Sequence, residues 1–397
     1  MLHRFATFVA GCTVLLVLAG SLVTSTGSGL AVPDWPTTYG WNLFTFPPSK
    51  WVGGILFEHG HRLIASGVGF LTIVLAGWLW LQEPRRWTAW LGIAALATVV
   101  AQGVLGGLTV LYFLPAAVST AHAGLAEIFF CLTIAIALFT SPRWIAGYDI
   151  PGGDMPERQS GSDMPGTRSV PGVNAPMLRR IATTTTVLIY VQILVGATMR
   201  HTNAGLAIPD FPLMFGHMVP DHWDPKIAIH FAHRVGAAIV TLAIIATAGH
   251  AWYHHRRRSE LTHPAALLLL LVVVQVALGG LTVLSQRGVW INSLHVVCGA
   301  LVLTTSLVLT LRTWRVKFAT QTTVRLPASA RSALRLGLAV AEGEGGKPDT
   351  TYDTRDVRDG RDVRDVSDVR GVRLQPDRSS VRSVRLQADR DIEAERA

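Results

Sequence analysis

The sequence predicts an all-α integral membrane protein. Eight transmembrane helices form two tandem four-helix bundle repeats, and a disordered C-terminal tail follows. Three observations carry this. Half of the 397 residues are apolar and only 15% are charged, too few to cover a soluble chain of this length. The apolar residues gather into runs of about 20, the length that crosses a hydrocarbon core of about 30 Å. The sequence also repeats itself.

The runs lie at roughly 5–26, 60–81, 89–112, 118–140, 178–199, 229–252, 264–285 and 290–312. The first is too long for the h-region of a signal peptide and lacks an A-x-A-like cleavage site, so it is expected to be a retained span. A net charge of +9 might suggest nucleic acid, but its distribution argues against that. Arg85, Arg86, Arg143, Arg179, Arg180, Arg256 to Arg258, Arg312, Arg315 and Lys317 fall in alternate loops. The other loops hold little beyond Lys50, Arg200, Lys226 and Arg287. The positive-inside rule then places both termini in the cytoplasm, in a plasma-membrane protein, with loops 27–57 and 200–228 outside. Cys12, Cys131 and Cys298 lie inside spans, which predicts neither a disulfide nor a zinc site.

The repeat is collinear. Gly29-Leu-Ala-Val-Pro-Asp-Trp-Pro36 returns as Gly205-Leu-Ala-Ile-Pro-Asp-Phe-Pro212. Gln102-Gly-Val-Leu-Gly-Gly-Leu-Thr-Val-Leu111 returns as Gln275-Val-Ala-Leu-Gly-Gly-Leu-Thr-Val-Leu284. His61-Arg62 matches His233-Arg234, and His122 matches His295. Four spans per copy give both copies the same topology, related by an axis along the membrane normal. The predicted organisation is an N-terminal half at 1–140, a flexible cytoplasmic linker at 141–177, a C-terminal half at 178–317 and a tail at 318–397. The linker is rich in Gly, Pro, Ser and Asp. The tail cycles through Asp-Val-Arg units too polar to offset their ordering entropy.

Ionisable residues inside spans are expensive and mark function. Of 14 histidines, His61, His122, His233 and His295 lie in or at spans, near their outer ends, and recur in the repeat. Each half supplies one from its second helix and one from its fourth. Two imidazoles at equal depth across a bundle suit axial ligation of a haem iron; satisfied core histidines are the alternative. Zinc fits poorly, because neither half offers a third ligand at metal spacing. Gly103, Gly106, Gly107, Gly124, Gly236, Gly279, Gly280 and Gly299 flank these sites and permit close approach of a macrocycle or of another helix. Arg62 and Arg234 are placed either to meet haem propionates or to snorkel at the interface. His59, His201, His217 and His222 have no repeat partner and read as solvated loop residues.

The halves differ at one position. Glu58 precedes His61 by three residues, where the second half has His230 before His233. A carboxylate beside one site only suggests that the sites do different jobs, unless Glu58 merely caps its helix.

Taken together, Glu58-His-Gly-His61-Arg62, His233-Arg234, His122, His295 and the duplicated Pro-Asp-aromatic-Pro loops resemble the haem A synthase family across residues 1–317. The resemblance implies oxidation of the C8 methyl of haem O to a formyl group, giving haem A for cytochrome c oxidase. It implies that His61 and His122 bind the substrate haem, that His233 and His295 hold haem b, and that Glu58 is catalytic. Haem O synthase and an electron acceptor are the implied partners, beside the bilayer. Many relatives carry two cysteines in the first outer loop, whereas residues 30–39 here contain none, which places any thiol step in question. A non-catalytic dihaem cytochrome and a haem carrier or exporter are the rival readings.

Overall fold

The computed structural model describes residues 1–146 and 176–319. Among them nine helices follow in order: α1 (Leu2–Ser25), α2 (Gly54–Gln82), α3 (Arg86–Leu111), α4 (Ala116–Phe139), α5 (Pro142–Ala146), α6 (Pro176–His201), α7 (Pro225–His255), α8 (Ser259–Leu284) and α9 (Val289–Ala319). All but α5 are long and apolar enough to cross a membrane, which gives the eight expected spans. The tail lies outside the described residues except at 318–319, which continue α9, and so does the linker beyond 141–146 and 176–177. The first residues of that linker form α5 rather than a loop.

Local chemistry sets the helix ends. Pro84 disfavours helical backbone in the residue before it, and Glu83 is extended, so α2 stops there. The Asp224 carboxylate accepts hydrogen bonds from the Lys226 and Ile227 N–H groups at 2.7 and 2.9 Å, and Pro225 occupies the first position of α7. Those bonds, that from Ile227 foremost, hold the Asp224 carboxyl below its ordinary range.

Helices α1 to α4 close into a square. α1 packs on α2 and α4, and α3 packs on the same two, so α2 and α4 stand on a diagonal. α6, α7, α8 and α9 repeat the arrangement, with α7 and α9 on the diagonal. Between the halves, α1 meets α9 and α4 meets α6, the same contact made twice, and α4 meets α9 across the centre. This is the symmetry that a parallel repeat requires. Both halves belong to one compact unit.

Val9, Leu75, Leu79, Phe129 and Ile136 pack the first core, and Ile244, Leu268, Val272 and Leu303 pack the second. Large apolar side chains such as Phe70, Leu81 and Val273 stand more than half exposed, as lipid-facing residues do. Short hydroxyl contacts tie the second half together: Thr185 to Thr247 at 2.8 Å, and Thr186 to Ser306 and Thr310 at 2.8 and 2.9 Å. Such links between membrane helices contribute about 0.6 kcal/mol each.

Candidate functional site: two histidine pairs beneath clamped outer loops

The four repeated histidines lie in the N-terminal parts of α2, α4, α7 and α9. Each is six to eight residues past its helix start, about 9–12 Å along the axis at 1.5 Å per residue. Each pair therefore sits on a bundle diagonal at matched depth. His122 lies within electrostatic reach of His61, and His295 within reach of His233. The structure thus brings together the pairs that the repeat predicted.

Each ring nests against a glycine of a neighbouring helix. A Cβ on Gly20 would stand 3.0 Å from Cε1 of His61, and one on Gly106 would stand 3.3 Å from Cε1 of His122. In the second half, Gly196 does this for His233 at 2.7 Å and Gly279 for His295 at 3.1 Å. Any side chain there would push the imidazole away. Gly106 and Gly279 stood among the predicted flanking glycines; Gly20 and Gly196 did not. The second glycine of each Gly-Gly pair has another task. A Cβ on Gly107 would overlap the Trp35 indole, and one on Gly280 would overlap Phe211. The loop aromatic of each Pro-Asp-aromatic-Pro motif thus docks on the helix that also receives a histidine.

Glutamines hold the histidine segments. Gln102 donates to the His122 carbonyl at 3.0 Å, and Gln192 donates to the His233 carbonyl at 2.7 Å and lies 3.0 Å from its Nδ1. Gln275 lies 3.4 Å from Nε2 of His295. The Nδ1 atoms of His61, His122 and His295 are buried with no partner among the described residues. Paired imidazoles with uncommitted ring nitrogens fit axial ligation of a haem iron. No group of three or more potential ligands for a bare metal ion occurs among the described residues.

Over each pair lies a loop built by the repeated motif. The Asp34 carboxylate accepts from the Tyr39 and Gly40 N–H groups at 2.7 and 2.9 Å, and Asp210 accepts from those of Phe215 and Gly216 at 2.8 and 2.9 Å. These bonds stabilise a turn that needs positive φ at Tyr39 and Gly40, and again at Phe215 and Gly216. Partial burial pushes the Asp34 carboxyl upward, but the hydrogen bonds from Gly40, Thr37 and Tyr39 outweigh it and leave it below the ordinary range.

Arg62 and Arg234 clamp these loops. Arg62 donates to the carbonyls of Asp34 and Thr37 through Nη1 at 2.8 and 2.9 Å, and to that of Val32 through Nη2 at 2.9 Å. Arg234 donates to the carbonyls of Leu213, Ile208 and Asp210 at 2.9, 3.1 and 2.7 Å. Both guanidiniums are directed at their own loops, not held out as free cations for a propionate.

Glu58 and His230 occupy equivalent places in the two clamps. Glu58 is 3% exposed. Its Oε1 lies 2.7 Å from Nη2 of Arg62, and its Oε2 accepts from the Val32 N–H at 2.8 Å. In the second half, the Ile208 N–H faces Nδ1 of His230, and Nε of Arg234 faces its Nε2, each at 3.2 Å. The Glu58 side chain thus reaches the loop and Arg62, and no contact joins it to His61. Nor does it cap α2, which begins at Gly54 and places Glu58 in the second turn.

Two histidines read as loop residues lie elsewhere. His59 is fully buried, 3.1 Å from the Thr38 hydroxyl and packed against Phe46 and Trp51 with ring centroids at 4.9 and 4.8 Å. His201 ends α6 and is half-buried. His217 and His222 are exposed, as expected. One acid escaped the sequence reading. Glu127, midway along α4, is 5% exposed and its Oε2 has no partner among the described residues. Its signal was plain: no other acidic residue lies so far from the ends of a span.

A protein-family model described as cytochrome oxidase assembly protein matches residues 3–307. The chain belongs to this family. Among its relatives is a heme A synthase of Shouchella clausii, 27% identical over 246 residues, covering 62% of this chain and 74% of that protein. A heme A synthase of Geobacillus kaustophilus is 27% identical over 326 residues, 79% of this chain and 93% of that protein. One of Symbiobacterium thermophilum is 29% identical over 234 residues, 58% and 69% respectively. The matched region contains both histidine pairs and both clamps.

Proposed function

We propose that this membrane protein is a haem A synthase, oxidising the C8 methyl of haem O to a formyl group. The observation that carries this is a duplicated histidine pair under matching loop clamps, in which one clamp holds a carboxylate and the other an imidazole. Two equivalent electron-transfer haems would give no reason for that difference. His61 and His122 bind the substrate, haem O, and His233 and His295 hold haem b. When bound, haem b supplies the redox chemistry.

Converting a methyl to an aldehyde takes two successive two-electron oxidations. The chain's own groups position the substrate and handle charge. The glycine notches set the planes of the imidazoles, and the clamped loops cover the outer ends of the bundles. Glu58, held between Arg62 and the Val32 N–H, stabilises positive charge developing at C8 or takes a proton from the attacking water. Haem O synthase would supply the substrate, and a separate acceptor would take the electrons.

Co-expression with a source of haem O, followed by pigment extraction, tests the assignment. Haem A should appear in the extract, and unchanged haem O would overturn it. The arginine asymmetry supports an orientation with both termini cytoplasmic, in a protein read as belonging to the plasma membrane. Reporter fusions at 150–170 should therefore read cytoplasmic and fusions at 35–50 and 205–225 external. An external reading at 150–170 would reverse the orientation.

A further inference from the structure

Arg62 and Arg234 serve the loop clamps, yet a haem carries two carboxylates on one edge that need a cation or donors in a membrane. Another arginine is placed to meet them. Arg200 sits in the last turn of α6, where the repeat puts Thr24 in the first half. It lies four residues beyond Gly196, the glycine that receives the His233 ring. It is thus one turn, about 6 Å, closer to the outer surface on the same side of α6. It also acts electrostatically on His295, the other member of the pair.

The surroundings of Arg200 lack an anion. Its Nη2 donates to the Ser21 carbonyl at 3.1 Å and the Ser25 hydroxyl at 2.9 Å, both on α1. Its Nε is buried with no partner among the described residues. No carboxylate there lies within ion-pair distance; the charge that acts on it is another cation, Arg287, in the α8–α9 connection. Arg62 and Arg85, by contrast, are each paired with a glutamate. A cation in a partly dry seam is costly unless an anion joins it, and the field of a second cation adds to that cost. Asn292 and Ser293 of α9 donate to the Ser25 hydroxyl at 3.2 and 2.8 Å, so the seam around Arg200 is polar.

We infer that Arg200 and Arg287 form an anion site for a propionate carboxylate of the haem held by His233 and His295. The inference rests on the haem reading of that pair. It has a consequence besides retention. A cation beside the propionate edge disfavours the more positive ferric state, so it raises the midpoint potential of that haem. It also keeps the carboxylate ionised, which keeps the potential insensitive to pH near neutrality.

Redox titration of the detergent-purified protein across neutral pH, with spectra of the bound haem b, tests this. Arg200→Gln should lower the midpoint of the C-terminal haem and make it pH-dependent. Arg200→Lys should restore most of the shift, and Arg287→Gln should lower the midpoint in the same direction. Arg287 lies in a connection outside the helices, so its variant remains informative if Arg200→Gln fails to assemble. Wild-type potential and pH dependence in Arg287→Gln, or equal loss of both haems with no shift in what remains, would overturn the inference. A variant that keeps Arg200 and Arg287 but retains its haem b after loss of both His233 and His295 would instead overturn the haem assignment itself.

Discussion

Replacing His233 or His295 with alanine should abolish the haem b that co-purifies with the protein, bringing its stoichiometry near zero. The same change at His61 or His122 should leave haem b in place and deplete the substrate or product haem. Haem A output should collapse in all four variants, but for two reasons that the pigment profile separates. The physical basis is the geometry of two diagonals. Each pair is supplied by helices that stand opposite each other across a bundle, α2 with α4 and α7 with α9. Each ring is seated on its own glycine, so no spare histidine of the other half can swing in. Pyridine haemochrome spectra of the purified variants provide the measurement. If the four variants lost the same pigment equally, the division of labour between the halves would be wrong.

How far the sequence carried this reading depends on the residue. Run length alone located the spans, because a bilayer demands about 20 apolar residues whatever their neighbours do. The repeat pairs the histidines in the sequence itself, because each half carries one in its second span and one in its fourth. It failed where polar residues are buried by something other than lipid. The span of α2 was placed at 60, yet the helix begins at Gly54. Glu58 and His59 interrupt the apolar run, but they are buried beneath the outer loop rather than exposed to water. His59 read as solvated because it has no repeat partner. It is buried by Phe46 and Trp51, and in the second half Trp223 packs in the same way on Phe231, an apolar ring in the place of His59. Arg200 read as a loop cation, but α6 runs through it into a polar seam between the halves. Arg62 and Arg234 read either as propionate partners or as snorkelling residues, because a one-dimensional pattern shows which charges are near a site and not which loop carbonyls they meet.

Haem A output should fall about 10²–10³-fold when Glu58 loses its charge, the usual cost of removing one preorganised electrostatic group. Glutamine alone is an ambiguous probe. Both carboxylate oxygens accept hydrogen bonds, from Arg62 and from the Val32 N–H, so the amide would turn an NH2 toward one of two donors and loosen the loop. The second half supplies a better substitution. His230 stands in the equivalent clamp, with one ring nitrogen facing the Ile208 N–H and the other facing Arg234, and that loop keeps the same turn. Glu58→His removes the carboxylate and keeps one ring-nitrogen acceptor, in a shape and place that the second half already accommodates beneath the same turn. If Glu58 does chemistry, this variant should assemble, retain haem b, and accumulate haem O or a partly oxidised haem at the N-terminal site. If Glu58 only fastens the loop, Glu58→His should produce haem A at close to the wild-type level while Glu58→Gln is impaired. Comparing extracted haem from the two variants decides between these outcomes. Near-normal haem A from Glu58→His would end the catalytic proposal for this carboxylate.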